Sequence, residues 1–183
     1  QPHRPQRQGA HLSARHRAGH RLQARRLHHG RPRADHDGQR KMARDRNTFV
    51  ATSTNGHFLD DENVEKIIKS GLNHLIISLD GLDQQTYEKY RVNGNFQTVM
   101  DGIRRLVAAR ETLKSDTPFI ELQFLVMRHN EHQLAQVSEF ARNSGVDKLS
   151  FKSAQVYNFD KAFSVIPTLK SKSRYRQLPD GNW

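Results

Sequence analysis

The stretch HLIISLDG (residues 74–81) decides the fold, because it begins as an apolar run and ends in a serine, an aspartate and a glycine. Alternate residues of a strand share a face, so Ile76, Ser78 and Asp80 lie together, opposite three aliphatic side chains. Two interpretations are open. Asp80 and Gly81 form either an ordinary turn or part of a ligand site at the carboxyl end of a parallel sheet.

Strands and helices alternate on both sides of this stretch. The apolar patterns predict strands over residues 47–53, 75–79, 119–127 and 147–152, and helices over residues 59–71, 95–114 and 130–145. Asn95 and Asn130 are the predicted N-caps of the last two helices. Helices that connect successive strands favour a parallel sheet and therefore the α/β class. Such a sheet is part of either a doubly wound fold or a barrel, and ligands bind at the carboxyl ends of the strands in both.

Most of the net charge of +11 lies in residues 1–46, which hold 12 Arg and one Lys against three Asp. This segment contains no Ile, Val, Phe, Tyr or Trp, so it is predicted to be disordered. Three interpretations are open: an out-of-frame translation, a disordered tail without specific function, or an arm that binds nucleic acid through phosphate contacts. The abrupt change in Arg and His content at residue 47 favours the first, and nucleic acid is not the expected partner.

Composition also excludes some classes of protein. There is no apolar stretch near the ~18 residues that a membrane span needs, and no apolar region typical of a secretory signal. A cytoplasmic protein is therefore expected. The sequence contains no cysteine, which excludes disulfides, zinc-cysteine sites and cysteine-ligated clusters built from this chain alone.

The ends of the first two predicted strands carry polar side chains. Thr54 and Asn55 follow the first strand, as Ser78 and Asp80 end the second. Because parallel strands end at the same edge of a sheet, these side chains are expected at one rim, where hydroxyl, amide and carboxylate groups suit a polar ligand. The alternative is that they only form turns and helix caps.

Five motifs, in this order, resemble the middle of a radical S-adenosylmethionine (radical SAM) enzyme: STNG (53–56), IISLDG (76–81), TYEKYRVNGNF (86–96), ELQFLVMRHNEH (121–132) and GVDKLSFKSAQ (145–155). They are most similar to the group with a C-terminal SPASM-type auxiliary-cluster domain. The resemblance implies a partial (β/α)6 barrel, TIM-like, with the third to sixth strands in residues 47–160. Residues 161–183 would then be an extension toward a cluster domain.

The resemblance also suggests site residues. Thr54 and Ser78 match positions that contact S-adenosylmethionine in relatives, and Asp80 would hold the adjacent turn. Arg91 would reach the methionyl carboxylate, since a guanidinium binds a carboxylate through two hydrogen bonds; the alternative is a solvent ion pair. Gln123 would point into the barrel. The complete set of cofactor-binding candidates is Thr54, Asn55, Ser78, Asp80, Arg91 and Gln123.

Other positions carry weaker expectations. Lys152 could face a substrate or be a surface lysine, and Asn130 could serve only as a helix cap. No catalytic residue and no metal ligand is assigned.

One departure from the family limits what this chain is expected to do. Radical SAM enzymes bind a 4Fe-4S cluster through three cysteines and use it to cleave S-adenosylmethionine into methionine and a 5′-deoxyadenosyl radical. The radical then abstracts hydrogen from a peptide or small substrate, with electrons from a reductant protein. Without cysteine, this chain is predicted to be an inactive fragment of such an enzyme. The alternative is a non-catalytic half-barrel with a basic nucleic-acid-binding arm.

Overall fold

The computed structural model describes residues 48–157 and 162–181, so every expectation for residues 1–46 lies outside the described residues. Strands and α-helices follow one another along the chain as β1 Ala51–Thr54, α1 Asp61–Lys69, β2 His74–Ser78, α2 Gln84–Glu88, α3 Phe96–Thr112, β3 Phe119–Val126, α4 Leu134–Asn143, β4 Lys148–Ser153 and α5 Ala162–Val165. Short 3-10 turns cover Glu131–Gln133 and Lys170–Lys172. The α/β class is confirmed, and each predicted strand and long helix is present.

The charge pattern of α1 explains where this helix begins and ends. The carboxylate of Asp60 accepts a hydrogen bond from the backbone N–H of Asn63 at 2.8 Å, which is the geometry of an N-cap. Acidic residues occupy the first turn and lysines the last, which matches the helix dipole. A cap of this kind contributes about 1 kcal/mol to helix stability.

The two N-caps predicted from the sequence, Asn95 and Asn130, have different outcomes. Asn95 caps α3 as expected, because its side-chain oxygen accepts from the N–H of Thr98 at 2.9 Å. The prediction that Asn130 caps a helix is wrong. The next segment begins with the 3-10 turn Glu131–Gln133, and the Asn130 side chain makes no cap bond to it. Asn130 is fully buried, and its amide binds backbone groups of other segments instead.

The four strands form one parallel sheet in the order β1-β2-β3-β4, so each strand is paired with its neighbour in sequence. Ser78 pairs with Gln123, and Gln123 pairs with Ser150. Thr54 pairs with Ile77, and Ile77 pairs with Leu122. Paired residues of a parallel ladder lie on the same face, so the register assigns each side chain to one of the two faces.

One face of the sheet, called here the covered face, is packed under helices. It consists of a row of buried aliphatic and aromatic residues: Leu75, Ile77, Ile120, Leu122, Phe124 and Val126. These side chains form two hydrophobic clusters with residues of α1, α3 and α4. Burial of each such side chain contributes roughly 1.5–3 kcal/mol, so this face supplies most of the driving force for folding.

The opposite face, called here the open face, is mostly polar and half-buried. It carries His74, Ile76, Ser78, Glu121, Gln123, Leu125, Lys148, Ser150 and Lys152. In a closed barrel this face would be the interior. The sheet therefore presents a packed side and a side whose polar groups remain accessible.

Residues after β4 return to the sheet. The backbone N–H of Arg128 donates to the carbonyl of Val165 at 3.0 Å, and the hydroxyl of Tyr175 accepts from the N–H of Val156 at 2.8 Å. The segment 164–177 is thus fixed beside the carboxyl end of β3. No helix of the described residues is long and apolar enough to cross a membrane.

Candidate functional site

A row of polar side chains crosses the open face near the carboxyl ends of the strands. Ser78, Gln123 and Ser150 are register partners in β2, β3 and β4, so two hydroxyls and an amide lie side by side. All three are half-buried. Such a row offers hydrogen bonds to a polar ligand lying across the sheet. Ser78 and Gln123 were candidates from the sequence, whereas Ser150 was not.

Thr54 and Asn55 lie at the same rim, but their polar groups are engaged in a turn. Thr54 Oγ1 accepts from the N–H of Gly56 at 3.1 Å, and Asn55 Oδ1 accepts from the N–H of His57 at 3.2 Å. Thr54 also pairs with Ile77, which places it on the covered face rather than beside Ser78. Their roles as ligand contacts remain predictions.

Asp80 and Arg91 form a buried ion pair just beyond the end of β2. Arg91 Nε donates to Asp80 Oδ2 at 2.6 Å, and the Asp80 side chain is only 1% exposed. Burial raises the pKa of Asp80 above its ordinary value, and this effect outweighs Arg91 and the N–H of Leu125, which lower it. Arg91 Nε is therefore already bound to a carboxylate of the same chain. A contact between Arg91 and a ligand carboxylate remains a prediction.

Two buried amides hold the turn that follows β2, residues 79–83. Asn130 Nδ2 donates to the carbonyls of Asp80 at 3.0 Å and Leu125 at 2.9 Å. Gln133 Oε1 accepts from the N–H of Leu82 at 2.9 Å, and its Nε2 donates to Asp83. The turn is thus built from side chains about 50 residues later in sequence. A sequence pattern alone gives no sign of such a contact.

Gly81 is required by close packing in this turn. A Cβ atom at Gly81 would lie 2.6 Å from the backbone nitrogen of Tyr87. The first turn of α2 therefore packs directly on the glycine, capped by Asp83, which accepts from the N–H of Thr86 at 2.7 Å. Asp80 and Gly81 thus form a structural turn at the carboxyl edge of the sheet, and a ligand site at this edge remains a prediction.

Polar atoms without partners lie close to the Asp80–Arg91 pair. Among the described residues, Tyr87 Oη and His129 Nε2 are buried and have no hydrogen-bond partner. Both groups interact electrostatically with Asp80. Burial lowers the pKa of His129, which favours its neutral form, and raises the pKa of Tyr87. A buried polar atom without a partner is unfavourable, so these two groups are an energetic cost that this part of the fold carries.

A second polar cluster lies deeper on the open face, around Glu121. Its carboxylate is 3.1 Å from His74 Nε2 and accepts from Lys148 Nζ at 3.2 Å. Burial raises the pKa of Glu121, but hydrogen bonds from Ser150 and Lys148 and the charges of Lys148 and His74 outweigh it, and the pKa is lowered overall. Glu121 is thus ionised inside the open face, a feature that its position within an apolar motif did not reveal.

The residues present do not fit an iron-sulfur cluster. The sequence has no cysteine, and no group of three or more His, Asp or Glu side chains among the described residues could hold a metal ion. The hydroxyls and the amide of the polar row are groups that can hydrogen-bond amino, carboxylate and hydroxyl groups, which S-adenosylmethionine has. Lys152 is exposed beside Leu125 on the open face, which leaves both of its predicted roles open.

Known proteins are similar to this chain in sequence and in fold. The family model described as the radical SAM superfamily matches residues 23–141, a match that begins within the Arg-rich segment. A GTP 3′,8-cyclase of Mycobacterium bovis is 30% identical over an alignment of 156 residues that covers 72% of this chain and 39% of that protein. An AdoMet-dependent heme synthase of Methanosarcina barkeri is 31% identical over 97 residues, covering 52% of this chain and 26% of that protein. The chain thus spans less than half the length of these relatives.

A solved structure shares the fold. SuiB of Streptococcus suis, in its complex with S-adenosylmethionine, superposes with a TM-score of 0.57 at 12% identity, over 74% of this chain and 29% of SuiB. SuiB bound to the precursor peptide SuiA gives a TM-score of 0.55 at 14% identity, over 79% of this chain and 29% of SuiB. The expected partial barrel is confirmed, and, because the family model covers more than half of the sequence, the chain belongs to the radical SAM superfamily.

Proposed function

We propose that this chain supplies the S-adenosylmethionine-binding side of a radical SAM barrel and that it does not produce the 5′-deoxyadenosyl radical by itself. The observation that carries this proposal is the polar row of Ser78, Gln123 and Ser150 at the carboxyl edge of the open face. SuiB, whose fold this chain shares in part, has been solved bound to S-adenosylmethionine, which supports this ligand for the fold. The row hydrogen-bonds and orients the ligand, while the buried Asp80–Arg91 pair keeps the adjacent turn in place.

The absence of cysteine separates binding from catalysis. A 4Fe-4S cluster supplies the electron that cleaves the sulfonium when it is bound, and its irons need thiolate ligands that these 183 residues do not contain. Any contribution to the full reaction therefore requires cysteines from outside this sequence. A reductant protein and a SPASM-type cluster domain belong to that complete enzyme.

The substrate of the complete enzyme is proposed to be a peptide or another small molecule. The complex of SuiB with its precursor peptide supports a peptide, because SuiB shares part of this fold. The relatives named as GTP 3′,8-cyclase and heme synthase support small molecules. The open face offers polar contacts to both kinds of substrate, so it does not favour one of them.

Calorimetric titration of the full chain with S-adenosylmethionine tests the binding part of the proposal. Ser78→Ala or Gln123→Ala should weaken binding about tenfold, since a hydrogen bond contributes roughly 1 kcal/mol or more. Ser138→Ala is the matched control, because its hydroxyl bonds within α4 and lies away from the rim. Equal loss in all three variants, or no heat of binding to the unmodified chain, would contradict a site on the polar row.

Anaerobic incubation with iron, sulfide and a reductant tests the second part. We expect no 4Fe-4S absorption and no 5′-deoxyadenosine from S-adenosylmethionine. Formation of either by this chain alone would overturn the separation of binding from catalysis.

A further inference from the structure

Positively charged side chains line a cavity formed after β3 and β4. Its volume is about 760 Å³, and its walls come from Arg128, which follows β3, and from the segment 167–177. None of its lining residues belongs to β1–β4. The volume is within the range of roughly 300–1,000 Å³ that is typical of small-molecule sites.

The charge of the lining is of one sign. Four cationic side chains line the cavity, Arg128, Lys170, Arg174 and Arg176, and no acidic residue lines it. Among the described ion pairs, none involves any of these four residues. Four cationic side chains in a concave site, with one carboxylate bonded to its wall, leave a net positive charge, which attracts anions.

The carboxylate of Glu131 bonds the wall of the cavity and not its cationic side chains. Glu131 accepts from the backbone N–H of Thr168 at 2.8 Å, from its hydroxyl at 2.6 Å, and from the N–H of Leu169 at 3.2 Å. Its oxygens are therefore engaged in holding the wall of the cavity. Two further contacts fix this wall: Arg128 Nε donates to the carbonyl of Ile166 at 3.0 Å, and Tyr175 binds Val156.

We propose that this cavity binds a small polyanion and that phosphate groups are its preferred ligand class. Three of the four cations are arginines, whose planar guanidinium groups bind two oxygens of one phosphate at once. A ligand with two or three linked phosphates would contact several of them together. The cavity shares no lining residue with the polar row, so variants of the two sites can be tested separately.

Titration of the full chain with inorganic tripolyphosphate tests this proposal. The double variant Arg174→Gln with Arg176→Gln should bind at least about tenfold more weakly, since each charge-assisted hydrogen bond is among the stronger ones. The control is Arg142→Gln with Lys114→Gln, which removes two exposed charges outside the cavity and should change affinity less than about twofold. Residues 1–46 are identical in all variants, so their arginines contribute equally.

Two further measurements keep the result interpretable. Arg174→Lys keeps the charge but loses the planar fork, so it should weaken binding less than Arg174→Gln and more than the control. Citrate replaces phosphate by carboxylate groups and should bind more weakly than tripolyphosphate. Equal loss in the cavity variant and the control, or tighter binding of citrate, would overturn the proposal. Circular dichroism should show unchanged folding, because Arg174 and Arg176 are exposed.

Discussion

The two faces of the sheet belong to the same strands but differ in almost every physical property. On the covered face, Ile77, Leu122 and Phe124 have no exposed surface and pack under helices. On the open face, Ser78 and Gln123 are half-buried and polar. The difference teaches that alternate residues of one strand can serve folding and the proposed ligand binding separately. Substitutions at adjacent positions should therefore separate the two functions.

The largest expected effect comes from truncation of the covered face. Ile77→Ala should lower the free energy of unfolding by about 2–5 kcal/mol, because it leaves a cavity in a closely packed cluster. Ile76→Ala is the matched variant, since the same side chain is removed one residue away on the half-buried open face. Its cost should be less than half as large. Urea denaturation measures both, and equal costs would show that the faces are not energetically distinct.

The next largest effect concerns the turn after β2, residues 79–83. Asn130→Ala should lower stability by about 1–3 kcal/mol, because the buried N–H of Met127 and two carbonyls lose their partner. Asn143→Ala, at the exposed end of α4, is the control and should change stability by less than about 0.5 kcal/mol. A similar small change for both would mean that the amide of Asn130 does not hold this turn.

The carboxylate on the open face should produce a pH effect of definite sign. The pKa of Glu121 is lowered in the folded state. At a pH above the ordinary pKa of 4.5, the ionised carboxylate therefore stabilises the protein. This contribution is lost as the pH falls through the lowered value. Glu121→Gln should therefore lose less stability on acidification than the wild type. If the free energies of unfolding of the two proteins decrease equally as the pH falls, Glu121 is not the source of the pH dependence.

Asp80 should show the opposite sign. Its pKa is raised above 3.8, so the folded state binds its proton more tightly than the unfolded state does. The resulting stabilisation is present at low pH and is lost as the pH rises through the raised value. Asp80→Asn should remove this decline, measured by unfolding at a series of pH values from acid upward. A decline that persists in the variant must come from another group.

The smallest expected effect on stability is that of Ser150→Ala. Ser150 is half-buried on the open face, so the free energy of unfolding should change by less than about 0.5 kcal/mol. The pKa of Glu121 should nevertheless rise, because its hydrogen bond from Ser150 is lost. NMR titration of the Glu121 side chain measures this shift. A large loss of stability would show that the open face also contributes to folding.

The sequence predicted the covered face and the helices well, because both follow periodic patterns. Alternation in residues 74–81 assigned the faces of β2 correctly, and the Asn95 cap depends only on residues three positions away. Family motifs, rather than periodicity, selected the partial barrel over a doubly wound sheet. Local rules were sufficient wherever the partners are close in sequence.

The candidate site was predicted less completely, because its contacts join distant segments. The use of Asn130 and Gln133 to hold a turn 50 residues earlier follows from tertiary packing, which overrode the capping preference of asparagine. The separation of Thr54 from Ser78 depends on the register between β1 and β2, which strand patterns do not define. Ser150 and Glu121 became significant only when β3 and β4 were aligned.

The strand order β1-β2-β3-β4 has a consequence for synthesis on the ribosome. Within the described sheet no strand is inserted between two earlier ones, so each of β2, β3 and β4 adds to the edge formed by the strand before it. Chains emerge N-terminus first at about 5–20 residues per second, which gives each helix time to cover its strand before the next strand appears. Nascent chains of this domain thus expose a single growing edge, and a pause between β3 and β4 would prolong the exposure of the backbone groups of β3.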